Sequence, residues 1–516
     1  MSTAAPHRHW LRSGCFDWIP LVLLKAALTW WVLRSGLRAI SDDDFARVVI
    51  SQDFAQTPRL DPSGTSWLPF PFWVQGAVMR WAGTDLDVAR ITCWVTALLA
   101  STLPWIAARW LGLSRWGALL AGAAAASLPY GLWLGAAAVP DYPTAALLLL
   151  AWASVVPTNG DTSPLDDRVH HPAPRRLLVG ALALLLATLS RYEAWPIAVG
   201  FSVFCLLELR PTGGARRADR VAVALALGLA LLGPVAWMTH GALAHGDALF
   251  FVKRVSAYRR ALGAGTAGWQ WVTHYPMALL RFEPEVAGAA LVALVGSLLS
   301  GQRARLRAHA RPLILAAMML GFLMWGELRD GAATHHAERA VLTLWLWFAL
   351  FAVDLGLATL LPATLRVRAL LLGALGLVLL VTAALLRPHF GQVEAFAARR
   401  DEVTMGRRAR RLLSADARLA IHTTDYGYFA VMAGFGGSRR AEPLIDHDPR
   451  HAPTEDPLTD AATLRAVLQE RGLSWVVLTG PAVSLAPAVG AYRDSTWDFV
   501  LVQLLAMSAP PPPQGR

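Results

Sequence analysis

Four short clusters of ionisable residues stand out because each lies beside a long apolar segment of the chain. The clusters are Ser41-Asp42-Asp43-Asp44, Asp141, Arg191-Tyr192-Glu193 and His335-His336-Ala337-Glu338-Arg339. Charge beside a bilayer is costly, so charge that is kept there usually serves a site. Carboxylates can act as a general base, and arginine or histidine can hold a phosphate. We therefore expect one active site that is assembled from several loops.

The acidic run at Asp42–Asp44 directly follows the first apolar segment. The next apolar residues recur at helical spacing, which predicts an interfacial amphipathic helix with carboxylates at its N-terminus, where the helix dipole favours negative charge. An ordinary helix cap with a pair between Asp43 and Arg47 would also explain the run. Three adjacent carboxylates exceed what a cap needs, and their mutual repulsion is expected to raise the pKa of at least one of them. We take Asp42, Asp43 and Asp44 as the candidate bases.

Two further clusters each allow a structural and a functional interpretation. Asp141 lies between two apolar segments and is either a helix N-cap or a second acidic group of the site. Arg191-Tyr192-Glu193 forms a sharp turn between two apolar segments. Its structural interpretation is an ion pair or an interfacial anchor. Its functional interpretation is a substrate site in which Arg191 holds a phosphate and Glu193 orients a hydroxyl.

The last cluster combines histidine with arginine at helical spacing. His335 and Arg339 are four residues apart, and His336 and Arg339 are three apart, so one helical face is predicted to present imidazole and guanidinium together. Arginine offers a planar fork to phosphate oxygens. Adjacent histidines point in different directions on a helix, so phosphate binding is favoured over a metal site.

Aromatic residues alternate with prolines in Trp67-Leu-Pro-Phe-Pro-Phe72, a pattern that suits the membrane interface. Trp67 is therefore either an interfacial anchor or part of a groove for lipid or acceptor. The region from 67 to 81 is a candidate for a further membrane-embedded or interfacial segment.

The composition requires a membrane. The chain has 516 residues, of which 55% are hydrophobic, and its mean hydropathy is +0.42, whereas soluble proteins average about 45–50% apolar residues. The excess lies in about eleven segments that are predicted to be transmembrane helices. Their approximate ranges are 18–40, 87–108, 116–137, 143–156, 176–190, 194–209, 220–240, 285–300, 312–327, 340–361 and 367–387.

The net charge of +11 is explained by membrane orientation and not by nucleic acid, since most basic residues lie in short loops between apolar segments. The positive-inside rule places the N-terminus in the cytoplasm and the four clusters outside. The outward loop 241–284 departs from the rule because it carries Lys253, Arg254, Arg259 and Arg260. Asp42 and Asp44 also spell the Asp-x-Asp metal-nucleotide motif of soluble sugar transferases, but nucleotide sugars are cytoplasmic and this motif is predicted to face outward.

The tail after residue 387 changes character and predicts a small soluble α/β domain. Segments 418–424 and 475–479 are strand-like, while 428–434 and 464–471 are helical, the latter ended by Gly472. We therefore divide the chain into a transmembrane catalytic domain at 1–387 and an extracytoplasmic domain at 388–516, with a disordered proline-rich end. The three cysteines show neither metal-ligand spacing nor a disulfide framework.

The order of these motifs resembles the GT-C superfamily of membrane glycosyltransferases, including protein O-mannosyltransferases and aminoarabinose transferases. The resemblance rests on Asp42–Asp44 in the first outward loop, then Trp67-Leu-Pro, Asp141, the Arg-Tyr-Glu turn and a His-x-x-x-Arg before a late span. It implies a GT-C-like helical fold in a bacterial plasma membrane. It also implies inverting transfer of a sugar from a polyprenyl-phosphate donor to an acceptor hydroxyl outside the cell.

The resemblance further implies a role for each cluster. A first-loop aspartate would be the base, although the usual family motif is closer to Asp-Glu or Glu-Asp. The residues that would bind the donor phosphate are Arg191, His335, His336 and Arg339. The residues that would contact substrate are Asp141, Tyr192, Glu193 and Trp67.

Partners and cofactors follow from the same interpretation. We expect a polyprenyl-phosphate sugar, a glycan, lipid or protein acceptor, and no nucleic acid. We assign no metal ligand and no obligatory cofactor, and we leave a divalent metal open. A transporter or lipid-linked sugar flippase is the main alternative, but the predicted span centres hold little charge apart from Lys25. A ligase-like enzyme with a larger donor and a non-catalytic scaffold are further alternatives.

Overall fold

The computed structural model describes residues 16–157, 172–210, 217–263, 269–329, 336–360, 399–423, 425–450, 460–496 and 499–504. The chain forms two compact units. Unit 1 comprises Met1–Leu37, Ser63–Pro71 and Thr92–Val393, and unit 2 comprises Arg38–Pro62, Phe72–Ile91 and Glu394–Arg516.

Helices dominate the chain up to residue 360. In chain order they are α1 (Ile19–Arg34), α2 (Asp42–Gln56), α3 (Phe70–Ala82), α4 (Leu86–Ala100), α5 (Leu103–Trp110), α6 (Arg115–Ala126), α7 (Pro129–Ala136), α8 (Asp141–Ser154), α9 (Pro174–Thr188), α10 (Ala194–Glu208), α11 (Arg217–His245), α12 (Phe250–Ala261), α13 (Gln270–Phe282), α14 (Pro284–Leu299), α15 (Arg303–Ala308), α16 (Ala310–Leu328), α17 (Ala337–Ala340) and α18 (Leu342–Leu360).

The chain is an integral membrane protein. Among the described residues, four helical segments are long and apolar enough to cross a bilayer: Leu86–Trp110, Arg217–His245, Ala310–Leu328 and Leu342–Leu360. Two bent pairs, α6–α7 at 68° and α13–α14 at 98°, raise the number to six if each pair is one span. The predicted count of eleven is not confirmed, and the predicted span 367–387 lies outside the described residues.

Both bends begin a new helix with proline, which cannot donate a backbone hydrogen bond to the preceding turn. Lys25 of α1 stabilises the α6–α7 break from the inside. Its Nζ donates to Gly131 O at 3.0 Å, contacts Ala126 O at 3.5 Å and lies 3.8 Å above the Tyr142 ring. At the start of α7, Glu283 accepts a hydrogen bond from the Tyr130 amide at 2.5 Å. The ammonium thus meets the last carbonyl of α6 and a carbonyl of α7, and the carboxylate meets the amide end of α7.

Unit 2 contains a five-stranded sheet with the order β2-β1-β3-β5-β4. Its strands are β1 (Leu419–Ile421), β2 (Ala441–Pro443), β3 (Trp475–Thr479), β4 (Gly490–Ser495) and β5 (Phe499–Leu504). Strand β1 pairs in parallel with β2 and β3, while β3–β5 and β5–β4 are antiparallel. The helices of this region are α19 (Arg400–Leu412), α20 (Tyr428–Phe435), α21 (Ala461–Glu470) and the short α22 (Ala486–Val489).

The predicted small α/β character of the tail is confirmed by β1, α20, α21 and β3, and Gly472 ends α21 with a φ of 65°. The sequence interpretation missed β2, β4, β5 and α19. Strand β4 is an edge strand with a bulge between Tyr492 and Asp494, and its Gly-Ala-Tyr-Arg-Asp-Ser sequence lacks the alternation that marks a half-buried strand.

Helices α8 and α9 of unit 1 pack closely at Gly180, and a substitution at this glycine tests the packing of the two helices. A Cβ at Gly180 would lie 2.6 Å from Ser154 Cβ, so Gly180→Ala should overpack the contact and cost about 1–3 kcal/mol. Gly228 of α11 has nothing within 4 Å, so Gly228→Ala is the matched control and should be neutral or slightly stabilising. Thermal unfolding midpoints in detergent measure both variants. Equal midpoints for the two variants would contradict the packing.

Candidate functional site

A buried ion-pair cluster in unit 1 joins two of the predicted motifs. Arg191 lies in the turn between α9 and α10, where its Nη1 contacts Asp141 Oδ1 and its Nε contacts Glu193 Oε1. The side chains of Arg191, Asp141 and Glu193 are only 9%, 1% and 4% exposed. One guanidinium therefore balances two carboxylates in a region from which water is largely excluded, which requires good pairing.

Asp141 occupies the first turn of α8 but does not cap it. Pro140 is the cap residue, and the structure assigns it no side-chain cap bond. The interpretation of Asp141 as an N-cap is therefore wrong. Its second oxygen, Oδ2, is buried and has no hydrogen-bond partner among the described residues. The carboxylate instead faces the Arg191 cluster, where that oxygen can accept a hydrogen bond from a bound group.

Tyr192 connects the same turn to the segment that contains Trp67. Its hydroxyl donates to Ser66 O at 2.8 Å and accepts from Trp237 Nε1 at 3.2 Å, while its ring stacks on Phe251 at 4.4 Å. Trp67 is half-buried in this segment. The Arg-Tyr-Glu turn is thus both an ion pair and an aromatic anchor, so it combines the two structural alternatives drawn from the sequence.

His336 and Arg339 do not form the predicted helical face. His335 lies outside the described residues, and α17 has only four residues, with His336 at its N-cap position. His336 therefore cannot share a helical face with Arg339, and its Nδ1 instead contacts Glu338 Oε1 at 3.1 Å. Arg339 is buried within α17.

Glu338 is the centre of this second cluster. Tyr130 donates its hydroxyl hydrogen to Glu338 Oε1 at 3.1 Å. Burial raises the pKa of Glu338, but the hydrogen bond with His336 and the positive charges of His336 and Arg339 outweigh burial and leave it below its ordinary value. Glu338 is thus held as a carboxylate between a histidine and an arginine.

The sequence interpretation missed a third cluster, at the ends of α12, α13 and α16. Arg259 donates to both oxygens of Glu327, at 3.1 and 2.9 Å, and His274 Nδ1 lies 3.4 Å from Glu327. The buried Tyr275 hydroxyl has no hydrogen-bond partner in the described part of the chain. Glu193 and Arg191 of the first cluster are close enough to interact with it electrostatically. The signal for this cluster was the departure of loop 241–284 from the positive-inside rule.

The opposite ends of the same helices hold separate ion pairs. Arg305 and His309 both bind Asp354 near the end of α18, and Arg311 binds Glu208 at the end of α10. Within unit 1, the motifs at 141, 191–193 and 336–339 therefore lie at one set of helix ends, away from these pairs.

The acidic run at Asp42–Asp44 belongs to unit 2. Ser41 caps α2, and Asp44 Oδ2 accepts from the amides of Ile40 and Ser41 at 3.2 Å each, which completes a capping box. Asp42 receives two hydrogen bonds from Arg399, at 2.8 and 3.0 Å. Asp43 is half-buried in the same turn. The capping alternative is thus confirmed for Asp44, which the sequence had offered equally as a base.

The fold of the chain is similar to that of two solved membrane proteins. No family model and no curated protein matches the chain. Crystal structures of ArnT from Cupriavidus metallidurans do match. The form bound to undecaprenyl phosphate has a TM-score of 0.57 at 16% identity, over 96% of this chain and 100% of that one. The apo form has a TM-score of 0.56 at 15% identity, over 95% and 98%.

A more distant structure has the same fold. The oligosaccharyltransferase from Archaeoglobus fulgidus in its apo form matches with a TM-score of 0.50 at 12% identity, over 92% of this chain and 71% of that one. At these identities the comparisons establish the fold.

Removal of Arg191 tests whether the first cluster is a coupled unit. Arg191→Gln should leave two buried carboxylates without their cation and destabilise the fold by about 3–5 kcal/mol. Lys253→Gln is the control, because Lys253 pairs with Asp247 at the surface with 79% of its side chain exposed, where water screens the attraction. Thermal midpoints in detergent compare the two. A loss in Arg191→Gln no greater than in Lys253→Gln would show that the cluster is not a coupled unit.

Proposed function

We propose that this chain is a GT-C-type glycosyltransferase that moves a sugar, with inversion, from a polyprenyl-phosphate donor to an acceptor hydroxyl on the extracytoplasmic side. The observation that carries the proposal is the convergence of the Arg191, Glu338 and Glu327 clusters at one set of helix ends in an ArnT-like fold. ArnT from Cupriavidus metallidurans binds undecaprenyl phosphate in that fold. A lipid-linked phosphate needs positive charge beside an apolar bilayer, and arginine at the ends of these apolar helices would supply it.

Among the first-loop aspartates we assign the base to Asp43. Asp44 accepts from two amides in the capping box and Asp42 accepts from Arg399, so each already serves a structural contact. Asp43 would remove the proton of the acceptor hydroxyl as its oxygen attacks the anomeric carbon of the donor sugar. The bond from that carbon to the phosphate oxygen breaks with inversion, and polyprenyl phosphate leaves.

The donor phosphate needs a positively charged ligand. Arg191 is flanked by Asp141 and Glu193, so we assign Arg191 to holding these carboxylates towards the sugar and not to the phosphate itself. Arg339 is the phosphate ligand that we favour, and His336, which also pairs with Glu338, would assist it. Positive charge fixed there would stabilise the leaving phosphate. Tyr192 and Trp67 would line the sugar or lipid path.

The membrane placement completes the proposal. We propose a multi-pass protein of a bacterial plasma membrane with its N-terminus in the cytoplasm. Domain boundaries at 1–387 and 388–516, with the second domain extracytoplasmic, remain our prediction. The proposed chemistry assigns no role to a metal.

A transporter or lipid-linked sugar flippase is the second candidate, and the two bent helix pairs with the buried Lys25 favour it. Broken helices and buried charge inside the membrane are typical of transporters. Proteoliposomes loaded with a fluorescent undecaprenyl-phosphate-linked sugar separate the candidates. Movement of the lipid without sugar transfer would favour the flippase.

Replacement of the proposed base gives a direct test. We expect Asp43→Asn to lower sugar transfer by about 10²–10⁴-fold because a general base is lost. The assay offers the purified full chain a panel of undecaprenyl-phosphate-linked radiolabelled monosaccharides with a bacterial envelope extract as acceptor. Asp87→Asn, an exposed carboxylate of α4, is the control and should keep its rate. Full transfer by Asp43→Asn with normal expression would show that another group is the base.

Lipid binding tests the phosphate site separately. Arg339→Ala should weaken the binding of undecaprenyl phosphate by about tenfold or more, because a charge-assisted hydrogen bond to phosphate is lost. Native mass spectrometry of the detergent-purified chain measures the bound fraction. Arg281→Ala, an exposed arginine of α13, is the control. Unchanged binding in Arg339→Ala would remove Arg339 from the site.

A further inference from the structure

Arg399 is the hub of an ion-pair network in unit 2. Its Nε and Nη2 bind the two oxygens of Asp42 at 2.8 and 3.0 Å. Its Nη1 and Nη2 bind the two oxygens of Asp425 at 3.1 and 2.8 Å, and Nη1 also binds Glu402 at 2.9 Å. A single guanidinium thus makes two bidentate contacts, which fix direction as well as distance. The side chain of Arg399 is only 20% exposed, whereas that of Asp425 is 53% exposed, so solvent reaches the network from the Asp425 side.

The network connects parts of the chain that are far apart in sequence. Asp42 is the first residue of α2, whereas Arg399 is the N-cap residue of α19, 357 positions later. Two further contacts hold the far end of α2 to the same C-terminal segment. Gln52 Nε2 donates to Ala433 O at 2.8 Å, and the Ser438 amide donates to Asp53 Oδ1 at 2.9 Å. The C-terminal segment therefore holds α2 at both ends.

The space around the Arg399 guanidinium is closely filled. Gly427 lies beside it, and a Cβ at this position would come within 2.8 Å of Arg399 Nη1, 3.0 Å of Asp425 Oδ1 and 3.1 Å of Glu402 Oε1. The φ of Gly427 is −58°, so the backbone itself would accept alanine. A methyl group at this position would thus displace the ion pairs without changing any charge.

The carboxylates around Arg399 also stabilise its charged form. Burial lowers the pKa of Arg399, but its hydrogen bonds to Asp42, Asp425 and Glu402 outweigh burial and raise the pKa above its ordinary value. Burial raises the pKa of Asp425, but its bonds from Arg399 and from the Gly427 amide leave it below the ordinary value. The charge of His447 also acts on Asp425.

We infer that Arg399 is a positioning residue through which the C-terminal segment orients the acidic turn at the start of α2. Arg399 balances the charge of Asp42 and fixes its carboxylate. The neighbouring Asp43 is therefore held in one direction, beside an aspartate whose charge is already balanced. The link to catalysis rests on the proposed function, whereas the orientation of α2 does not. Without Arg399, the charge of Asp42 would be unbalanced, and the next carboxylate would bind a proton more readily.

Four variants of the full chain test this role. Arg399→Gln removes the charge and the fork, and Arg399→Lys keeps the charge but not the bidentate geometry. Gly427→Ala crowds the network without a charge change. Arg408→Gln is the matched control, because Arg408 lies on the same helix, α19, but binds Asp494 and Ser495 O.

Hydrogen exchange monitored by mass spectrometry on residues 42–56 is the first measurement and requires no substrate. We expect exchange to be faster in Arg399→Gln and Gly427→Ala, intermediate in Arg399→Lys and unchanged in Arg408→Gln. The same exchange in Arg399→Gln as in Arg408→Gln would overturn the positioning role. This result is independent of whether the chain transfers sugar.

The second measurement is transfer from whichever undecaprenyl-phosphate-linked sugar the unaltered chain uses. Arg399→Gln should lower kcat by about ten- to a hundredfold with KM for that donor unchanged, since misplacement of a catalytic group by about 1 Å has such an effect. The acid limb of the pH–rate profile should move to higher pH, and Arg399→Lys should return it part of the way. An unmoved acid limb, or a loss shared equally by Arg408→Gln, would overturn the catalytic link. If the unaltered chain transfers none of the sugars, the proposed function fails and the exchange measurement alone decides the orientation.

Discussion

Charge that is withdrawn from water must be matched, and this constraint governs unit 1. Arg191 is held between Asp141 and Glu193, Arg259 binds both oxygens of Glu327, and Glu338 contacts His336. A buried ion is tolerated only with partners of good geometry. The Arg191–Asp141 and Arg259–Glu327 pairs join different helices, so the pairing that makes these charges tolerable also fixes helix ends, and the Tyr130 hydroxyl joins Glu338 to α7. The proposed donor site is a consequence of this fixed arrangement.

The two bent helix pairs show the same constraint acting on the backbone. A break inside a membrane leaves carbonyl and amide groups without partners, and each such group is costly in lipid. Lys25 supplies donors to Ala126 O and Gly131 O, and Glu283 accepts from the Tyr130 amide. With its amide held in this way, Tyr130 directs its hydroxyl to Glu338. Lys25, the charged residue within the first apolar segment, donates to the carbonyl of Gly131, the residue that follows Tyr130.

The sequence predicted site residues where a few ionisable residues stand beside apolar segments, and it predicted structure where the contacts are local. Ionisable residues beside apolar segments located the 141, 191–193 and 336–339 clusters, and the run at 41–44 predicted the capped helix α2. Pairing over long separations left no local pattern. The partner of Arg259 is 68 positions away and that of Asp42 is 357 away, so neither could be read from spacing. The helical face predicted for His336 and Arg339 does not form because α17 has only four residues. Edge strand β4 was missed because its sequence lacks the alternation of apolar and polar residues.

The central claim is that the helix ends at 141, 191–193 and 336–339 receive a polyprenyl phosphate. The most direct measurement is photo-crosslinking of the full chain in nanodiscs with an undecaprenyl phosphate analogue that carries a diazirine beside the phosphate. The labelled peptides are then mapped by mass spectrometry. We predict labels on peptides that contain Arg191 or Arg339, competed by undecaprenyl phosphate. Labels confined to the opposite helix ends around Arg305 and Asp354, or labels that undecaprenyl phosphate does not displace, would contradict the claim.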